Sequence, residues 1–143
     1  MLDVDYFKEF SGSAGLQMGG IVLRQLGDLL SRRVRGEDIV CRYGGDEFAL
    51  VLTGASLGVV RQRAEKLREE LKTLKAPNGK PVSFSAGVAA FPLHGPTKQE
   101  LLRAVELALC SAKIEGRDRV VAAQNPSDVL TGDGGTDLFS NNP

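Results

Sequence analysis

The sequence predicts one α+β domain, a central antiparallel or mixed sheet with helices packed on one side, and three observations lead there. Short apolar runs of strand character alternate with longer stretches whose apolar residues recur at helical spacing. Two neighbouring runs are joined through Gly44-Gly45 as a hairpin. The 143 residues, 42% of them hydrophobic, fill one core and leave little for a second.

Residues 1–4 read as the end of a strand. Residues 18–34 put Met18, Val22, Leu26, Leu29 and Leu30 on one stripe, an amphipathic helix covering the sheet. Runs 39–43 and 47–52 form the hairpin, and Gly44 and Gly45 are expected to supply the positive φ angles of a two-residue turn. In 57–74, Val60, Ala64, Leu67, Leu71 and Leu74 face inward while Arg61, Arg63, Glu65, Arg68 and Glu69 face water. Pro77-Asn78-Gly79 marks a turn, 82–91 a strand, and Pro92-Leu93-His94-Gly95-Pro96 breaks it. Thr97 and Glu100 match a capping box opening a third helix, whose stripe is Leu101, Leu102, Val105, Ala108, Leu109 and Ala112 and whose stop is Gly116. A strand at 120–123 closes the order β, α, β, β, α, β, α, β, which is ferredoxin-like. Residues 1–124 are assigned to the domain, and 125–143, rich in Asn, Ser, Asp, Gly and Pro, to a disordered tail. Gly132-Asp133-Gly134-Gly135-Thr136-Asp137 is out of register with a calcium-binding glycine repeat and is assigned no function.

Composition narrows the function. Lys plus Arg and Asp plus Glu both total 18, so no net positive charge favours a polynucleotide partner. Cys41 and Cys110 are far apart and His94 is the only histidine, which excludes a thiolate zinc site and a disulfide framework. Two buried thiols in a reducing compartment are expected. No apolar run approaches the ~20 residues of a membrane span, so the domain is expected to have no membrane segment and to be cytoplasmic.

Asp3 and Asp5 share a face at the end of the first strand, and Asp46 and Glu47 directly follow the two glycines. If that strand pairs beside the hairpin, several carboxylates converge. Converging carboxylates repel unless a cation joins them, and hard oxygen ligands at a strand edge suit Mg²⁺ carrying nucleotide phosphates. Such a site supports phosphoryl or nucleotidyl transfer, with Gly44 and Gly45 letting a phosphate or base approach the backbone. Alone, Gly-Gly-Asp-Glu is more often a plain tight turn with two solvated acids.

Arg42-Tyr43-Gly44-Gly45-Asp46-Glu47-Phe48, however, resembles the signature of the GGDEF domain family, the catalytic domains of bacterial diguanylate cyclases. Asp3-Val4-Asp5-Tyr6-Phe7-Lys8, Ser85-Ala86-Gly87-Val88 and Ala112-Lys113 with Gly116-Arg117 resemble further family motifs, and matching residues run from Leu2 to Val121. The resemblance implies a nucleotidyl-cyclase-type sheet on which two facing domains, each with one GTP, make cyclic di-GMP and release pyrophosphate. It implies Mg²⁺ or Mn²⁺ held by Asp3, Asp46 and the Val4 carbonyl, with Asp46 activating the 3′-hydroxyl and Glu47 supporting the metal site. Substrate contacts would come from backbone amides of Tyr6, Phe7 and Lys8, from Gly45, and from Lys113 and Arg117, which stand four apart and share a face if one helix carries both. Arg35 and Asp38 match the family's product-inhibition motif, which binds cyclic di-GMP. A homodimer and an attached sensor or receiver domain are the implied partners.

Two polar positions depart from the pattern: Ser11 stands for an Asn and Gly20 for an Asp that read guanine. Losing two edge contacts costs roughly 1–3 kcal/mol each. The departures motivate two alternatives: a cyclase that also accepts ATP, and a silent module that binds GTP or cyclic di-GMP and regulates an attached domain. A purely structural dimerisation domain is a third. The helix and turn that precede the first strand in the family are not in this chain, so a fragment or a degenerate domain is expected.

Overall fold

The computed structural model describes residues 1–13, 16–76 and 79–125. The expected tail from 126 onward and Pro77-Asn78 of the expected turn lie outside the described residues. The elements are β1 (Leu2–Val4), α1 (Phe7–Ser13), α2 (Leu16–Arg33), β2 (Ile39–Arg42), β3 (Glu47–Val51), α3 (Leu57–Leu71), β4 (Phe84–Val88), α4 (Lys98–Ile114) and β5 (Val120–Ala122). The strands form one mixed sheet in the order β2-β3-β1-β4-β5. All neighbours are antiparallel except β4 and β5, which run parallel and are joined through α4.

Strand alternation divides the side chains between two faces. Leu2, Val4, Phe48, Phe84, Ala86 and Val88 pack into one cluster with Val22, Leu26 and Leu30 of α2 and with Leu67 and Leu71 of α3. The other face belongs to α4. A Cβ added at Gly87 would lie 2.3 Å from the Val105 carbonyl oxygen and 2.5 Å from the Leu109 nitrogen, so the helix backbone rests on the strand. Helices therefore cover both faces and not one. The reason is β4, buried at all five positions: Phe84, Ala86 and Val88 pack into the apolar cluster on one side, and Ser85 and Gly87 on the other are small enough to let α4 in.

The capping box forms as expected: the Thr97 hydroxyl accepts from Glu100 N–H at 3.3 Å, and the Glu100 carboxylate accepts from Thr97 N–H at 3.0 Å. The seven-residue α1 was not expected, since a helix that short shows no period and carries Ser and Gly. It packs on α2 at Gly19, where an added Cβ would meet the Phe7 ring and Ser11 Cβ at 2.9 Å. Both cysteines are exposed and unpaired, Cys41 on the edge strand and Cys110 on α4, which corrects the expectation of burial. Among the described residues no helix is long and apolar enough to cross a membrane.

The Gly87 contact gives a direct check. Gly87→Ala overpacks β4 against the α4 backbone and should lower stability by about 1–3 kcal/mol in thermal or urea melts. Gly27→Ala, mid-helix with only an ordinary 3.8 Å contact to Phe48, should leave stability unchanged or raise it.

Candidate active site

β1 lies between β3 and β4 with Asp3 opposite Glu47 on one side and Ser85 on the other. Because Leu2 and Val4 are committed to the apolar cluster, Asp3 must face α4, where its carboxylate meets Lys113 Nζ at 2.8 Å and is 13% exposed. Val4 N–H donates to the Asp46 carbonyl at 3.1 Å, tying the hairpin tip to the end of β1. The opening strand and the acidic turn thus stand side by side.

The turn is wider than expected. Tyr43 and Gly44 N–H both donate to the Glu47 carbonyl, at 2.8 and 3.2 Å, and Arg42 closes the loop by donating from Nε to the Gly44 carbonyl and from Nη2 to the Gly45 carbonyl at 2.6 Å. Neither Gly44 nor Gly45 is among the positive-φ glycines, so the left-handed two-residue turn does not form. Glycine at 44 instead makes room for Glu47, whose Oε2 would lie 2.7 Å from an added Cβ, while the space around Gly45 is open. A guanidinium holding two loop carbonyls is a long-side-chain device that a turn pattern does not reveal.

Burial raises the Asp3 carboxyl above its ordinary value, and the nearby Asp46 and Glu47 charges raise it further against the opposing Lys113 ammonium. The three carboxylates therefore feel one another. Asp5 does not join them. It is 4% exposed and accepts from the Ser83 hydroxyl at 2.7 Å, the Ser85 hydroxyl at 2.7 Å and Asp118 N–H at 3.1 Å. The expected convergence is thus corrected: Asp5 ties β4 and the entry to β5 to the end of β1. Among the described residues no three His, Cys, Asp or Glu side chains form a ready metal cluster. The Asp3, Asp46 and Glu47 carboxylates remain near one another at the corner, hard oxygen donors of the kind Mg²⁺ takes when phosphates and water complete its shell.

Lys113 and Arg117 do not share a helix face. α4 stops at Ile114 with Glu115 as C-cap, Gly116 turns at φ 119, and Arg117 and Asp118 follow at φ 64 and φ 45. Arg117 instead lies over the residue that follows β1 and Asp5, its guanidinium 4.9 Å over the Tyr6 ring, itself at φ 57. A left-handed non-glycine backbone costs about 1–2 kcal/mol per residue. A donor to a buried carboxylate such as Asp118 N–H to Asp5 returns about 1.5–3 kcal/mol. The partly buried Asp118 pairs, Arg68 Nη1 at 2.7 Å and Lys72 Nζ at 3.0 Å, add to this. Burial would raise the Asp118 carboxyl, but hydrogen bonds from Arg68 and Lys72 hold it below its ordinary value.

The remaining expected residues are scattered around this corner or lie away from it. Phe7 and Lys8 open α1 directly after Tyr6, Ser11 sits half-buried on α1, and Gly20 is exposed on α2 with nothing within 4 Å of an added Cβ. Arg35 and Asp38 stand at the far end of the hairpin, before β2, beside Thr53 after β3. Asp38 accepts from Arg35 N–H at 2.9 Å, Thr53 N–H at 3.0 Å and Arg63 Nη2 at 3.0 Å, and its side chain has no exposed area. The Arg35 backbone N–H foremost, with Arg63 and Thr53, holds its carboxyl below the ordinary range. The Arg35 side chain is exposed. Arg63 and Arg68, expected to face water, are instead drawn down onto Asp38 and Asp118, partners 25 and 50 residues away that a helical stripe does not reveal, and Asp118 escaped the sequence reading for the same reason.

Hard oxygen donors beside a lysine, with an arginine over Tyr6 just past the end of the same strand, make a site suited to metal-assisted chemistry on phosphates. Residues 1–119 match the family model described as Diguanylate cyclase, GGDEF domain, and the chain belongs to that family. It is 38% identical over 123 residues to diguanylate cyclase DosC of Escherichia coli strain K12, covering 84% of this chain and 27% of that protein. It is 32% identical over 126 residues to the response regulator PleD of Caulobacter vibrioides, covering 85% and 28%. The chain thus spans less than a third of these relatives. The GGDEF domain of DgcB from Caulobacter crescentus, solved in complex with c-di-GMP, superposes with a TM-score of 0.75 at 30% identity over 85% of this chain and 74% of that one. The active GGEEF domain of a Vibrio cholerae diguanylate cyclase superposes with a TM-score of 0.78 at 26% identity over 87% and 80%.

The raised Asp3 carboxyl has a signed consequence. The folded state holds this proton more tightly than the unfolded chain, so the stability linked to Asp3 is full below the ordinary value of 3.8 and is lost as pH rises through the raised one. Asp3→Asn should therefore melt at or above the wild-type temperature at about pH 7, with the gap shrinking toward about pH 4. A variant that melts lower at neutral pH, with the gap closing in acid, would show the Lys113 contact outweighing burial.

Proposed function

We propose that the domain is one half of a diguanylate cyclase: it binds one GTP with Mg²⁺ or Mn²⁺ and, facing a second copy, joins two GTP molecules into cyclic di-GMP. The observation that supports this best is the 3.1 Å bond from Val4 N–H to Asp46, which sets the end of β1 beside the acidic turn. Asp3, Asp46 and the Val4 carbonyl would hold the ion. Once bound, it offsets charge on phosphate oxygens and eases deprotonation of a hydroxyl.

In this reading Asp46 takes the proton of the 3′-hydroxyl while that oxygen bonds to the α-phosphorus of the GTP on the other copy. The bond from that phosphorus to the pyrophosphate oxygen breaks, and pyrophosphate leaves. The same step in the opposite sense closes the ring, so two pyrophosphates are released. Glu47, opposite Asp3, adds negative potential that favours the cation. Lys113, 2.8 Å from Asp3, would turn its ammonium from that carboxylate to phosphate oxygens of the bound nucleotide. Arg117 and the amides of Tyr6, Phe7 and Lys8 hold the rest of the triphosphate. Arg35, exposed on the loop that Asp38 braces, grips guanine or phosphate of bound cyclic di-GMP in product inhibition. The attached sensor or receiver domain would control how two copies meet, and the cytoplasm, where GTP is abundant, is the expected location.

The open space at Gly20, with Ser11 nearby on α1, favours a second reading in which the base pocket also accepts adenine. One experiment addresses both. Incubation with equal GTP and ATP and Mg²⁺, followed by mass spectrometry, should give cyclic di-GMP, and Asp46→Asn should lower the rate at least ~100-fold. Mixed or adenine-containing products establish the relaxed pocket, and Gly20→Asp should then narrow them. GTP binding without any product from the wild type would refute the cyclase and leave a regulatory module.

A further inference from the structure

Tyr6, Arg117 and Asp118, three non-glycine residues with left-handed backbone, meet where β1 ends and β5 begins. Aspartate tolerates that conformation, but tyrosine and arginine do not hold it unaided, and such residues persist where their surroundings fix them. Asp118 supplies the fixing from two directions. Its N–H donates to the buried Asp5 carboxylate at 3.1 Å. Its carboxylate is gripped from α3 by Arg68 Nη1 at 2.7 Å and Lys72 Nζ at 3.0 Å.

Arg68 is itself held. Its side chain is 16% exposed and also meets Glu65 at 2.8 Å and Glu69 at 2.6 Å, so its planar fork has three carboxylates around it and little freedom to turn. An arginine used only for solubility would keep its rotamers. Through the Asp118 side chain, Arg68 braces the peptide that follows Arg117, whose N–H donates to Asp5 and whose carbonyl accepts from Arg119 Nε at 3.1 Å, and a rotation of that peptide would swing the Arg117 guanidinium off the Tyr6 ring, 4.9 Å away.

We propose that Arg68 and Asp118 form a clamp that positions Arg117 on the outer phosphates of the bound nucleotide, making α3 a determinant of selectivity for triphosphates over monophosphates. The clamp rests on the reading of Arg117 as a phosphate ligand. Neither Arg68 nor Asp118 touches the nucleotide; both are positioning residues. Their loss weakens binding of the β- and γ-phosphates and spares the base and α-phosphate.

Calorimetry with 3′-deoxy-GTP and 3′-deoxy-GMP in Mg²⁺ tests this, since both lack the attacking hydroxyl and stay intact. Wild type should prefer the triphosphate, and Arg117→Ala should remove most of that preference. Arg68→Ala and Asp118→Ala should each cut the preference by about fivefold or more through the triphosphate affinity alone, and Arg68→Lys should restore part of it. If an alanine variant does not fold in melts run alongside, the ratio is read from Arg68→Lys and Asp118→Asn, which should show a smaller loss of the same kind. A wild type without triphosphate preference refutes the reading of Arg117 itself. A preference that disappears in Arg117→Ala but survives intact in every Arg68 and Asp118 variant overturns the clamp, as does an equal loss of both ligands.

Discussion

The register of β1 between two antiparallel neighbours is the constraint on which the rest of the molecule depends. Leu2 and Val4 are 4% and 1% exposed, and each buried side chain contributes about 1.5–3 kcal/mol. A slip of one residue would send both to the α4 face and Asp3 into the apolar cluster. Burial thus outweighs the desolvation that Asp3 suffers, and the place of its carboxylate follows from core packing. Asp46 comes to the same corner because the strand that continues from it pairs in the matching register, Leu2 with Phe48 and Asp3 with Glu47.

The acids of this end divide into two kinds. Asp5 has every oxygen engaged by serine hydroxyls or a backbone N–H, which gives it a binding role toward its own chain. Asp3 keeps one lysine and two neighbouring carboxylates, an unbalanced group that a divalent ion would balance. Asp38 repeats the first pattern at the other end of the hairpin, where it fixes the backbone that carries Arg35. Residues adjacent in a motif therefore do different work according to whether their oxygens already have donors.

Features carried by local pattern were legible in the sequence: the stripes of α2, α3 and α4, the Thr97 box, the hairpin, and the signature that names the family. What escaped depends on contacts distant in sequence or on the absence of a side chain. Gly87 looks like any strand glycine until α4 is seen resting on it, and Ser85 like any serine until it meets Asp5. The spacing of Lys113 and Arg117 suggested one helical face, yet Gly116 ends the helix between them, and the arginine returns only through strained backbone and the Tyr6 ring. For Gly44 and Gly45, a dipeptide that usually signals a left-handed turn serves here for space beside Glu47 and openness at the tip.

Diffraction from crystals grown with Mn²⁺ and 3′-deoxy-GTP reaches the central claim most directly, because the anomalous signal locates the ion without assumption about its ligands. The account predicts a manganese peak whose first shell includes oxygens of both Asp3 and Asp46, with Lys113 moved from Asp3 to the triphosphate. A peak bound by phosphates alone, with Lys113 still on Asp3 and Asp46 turned away, would contradict it.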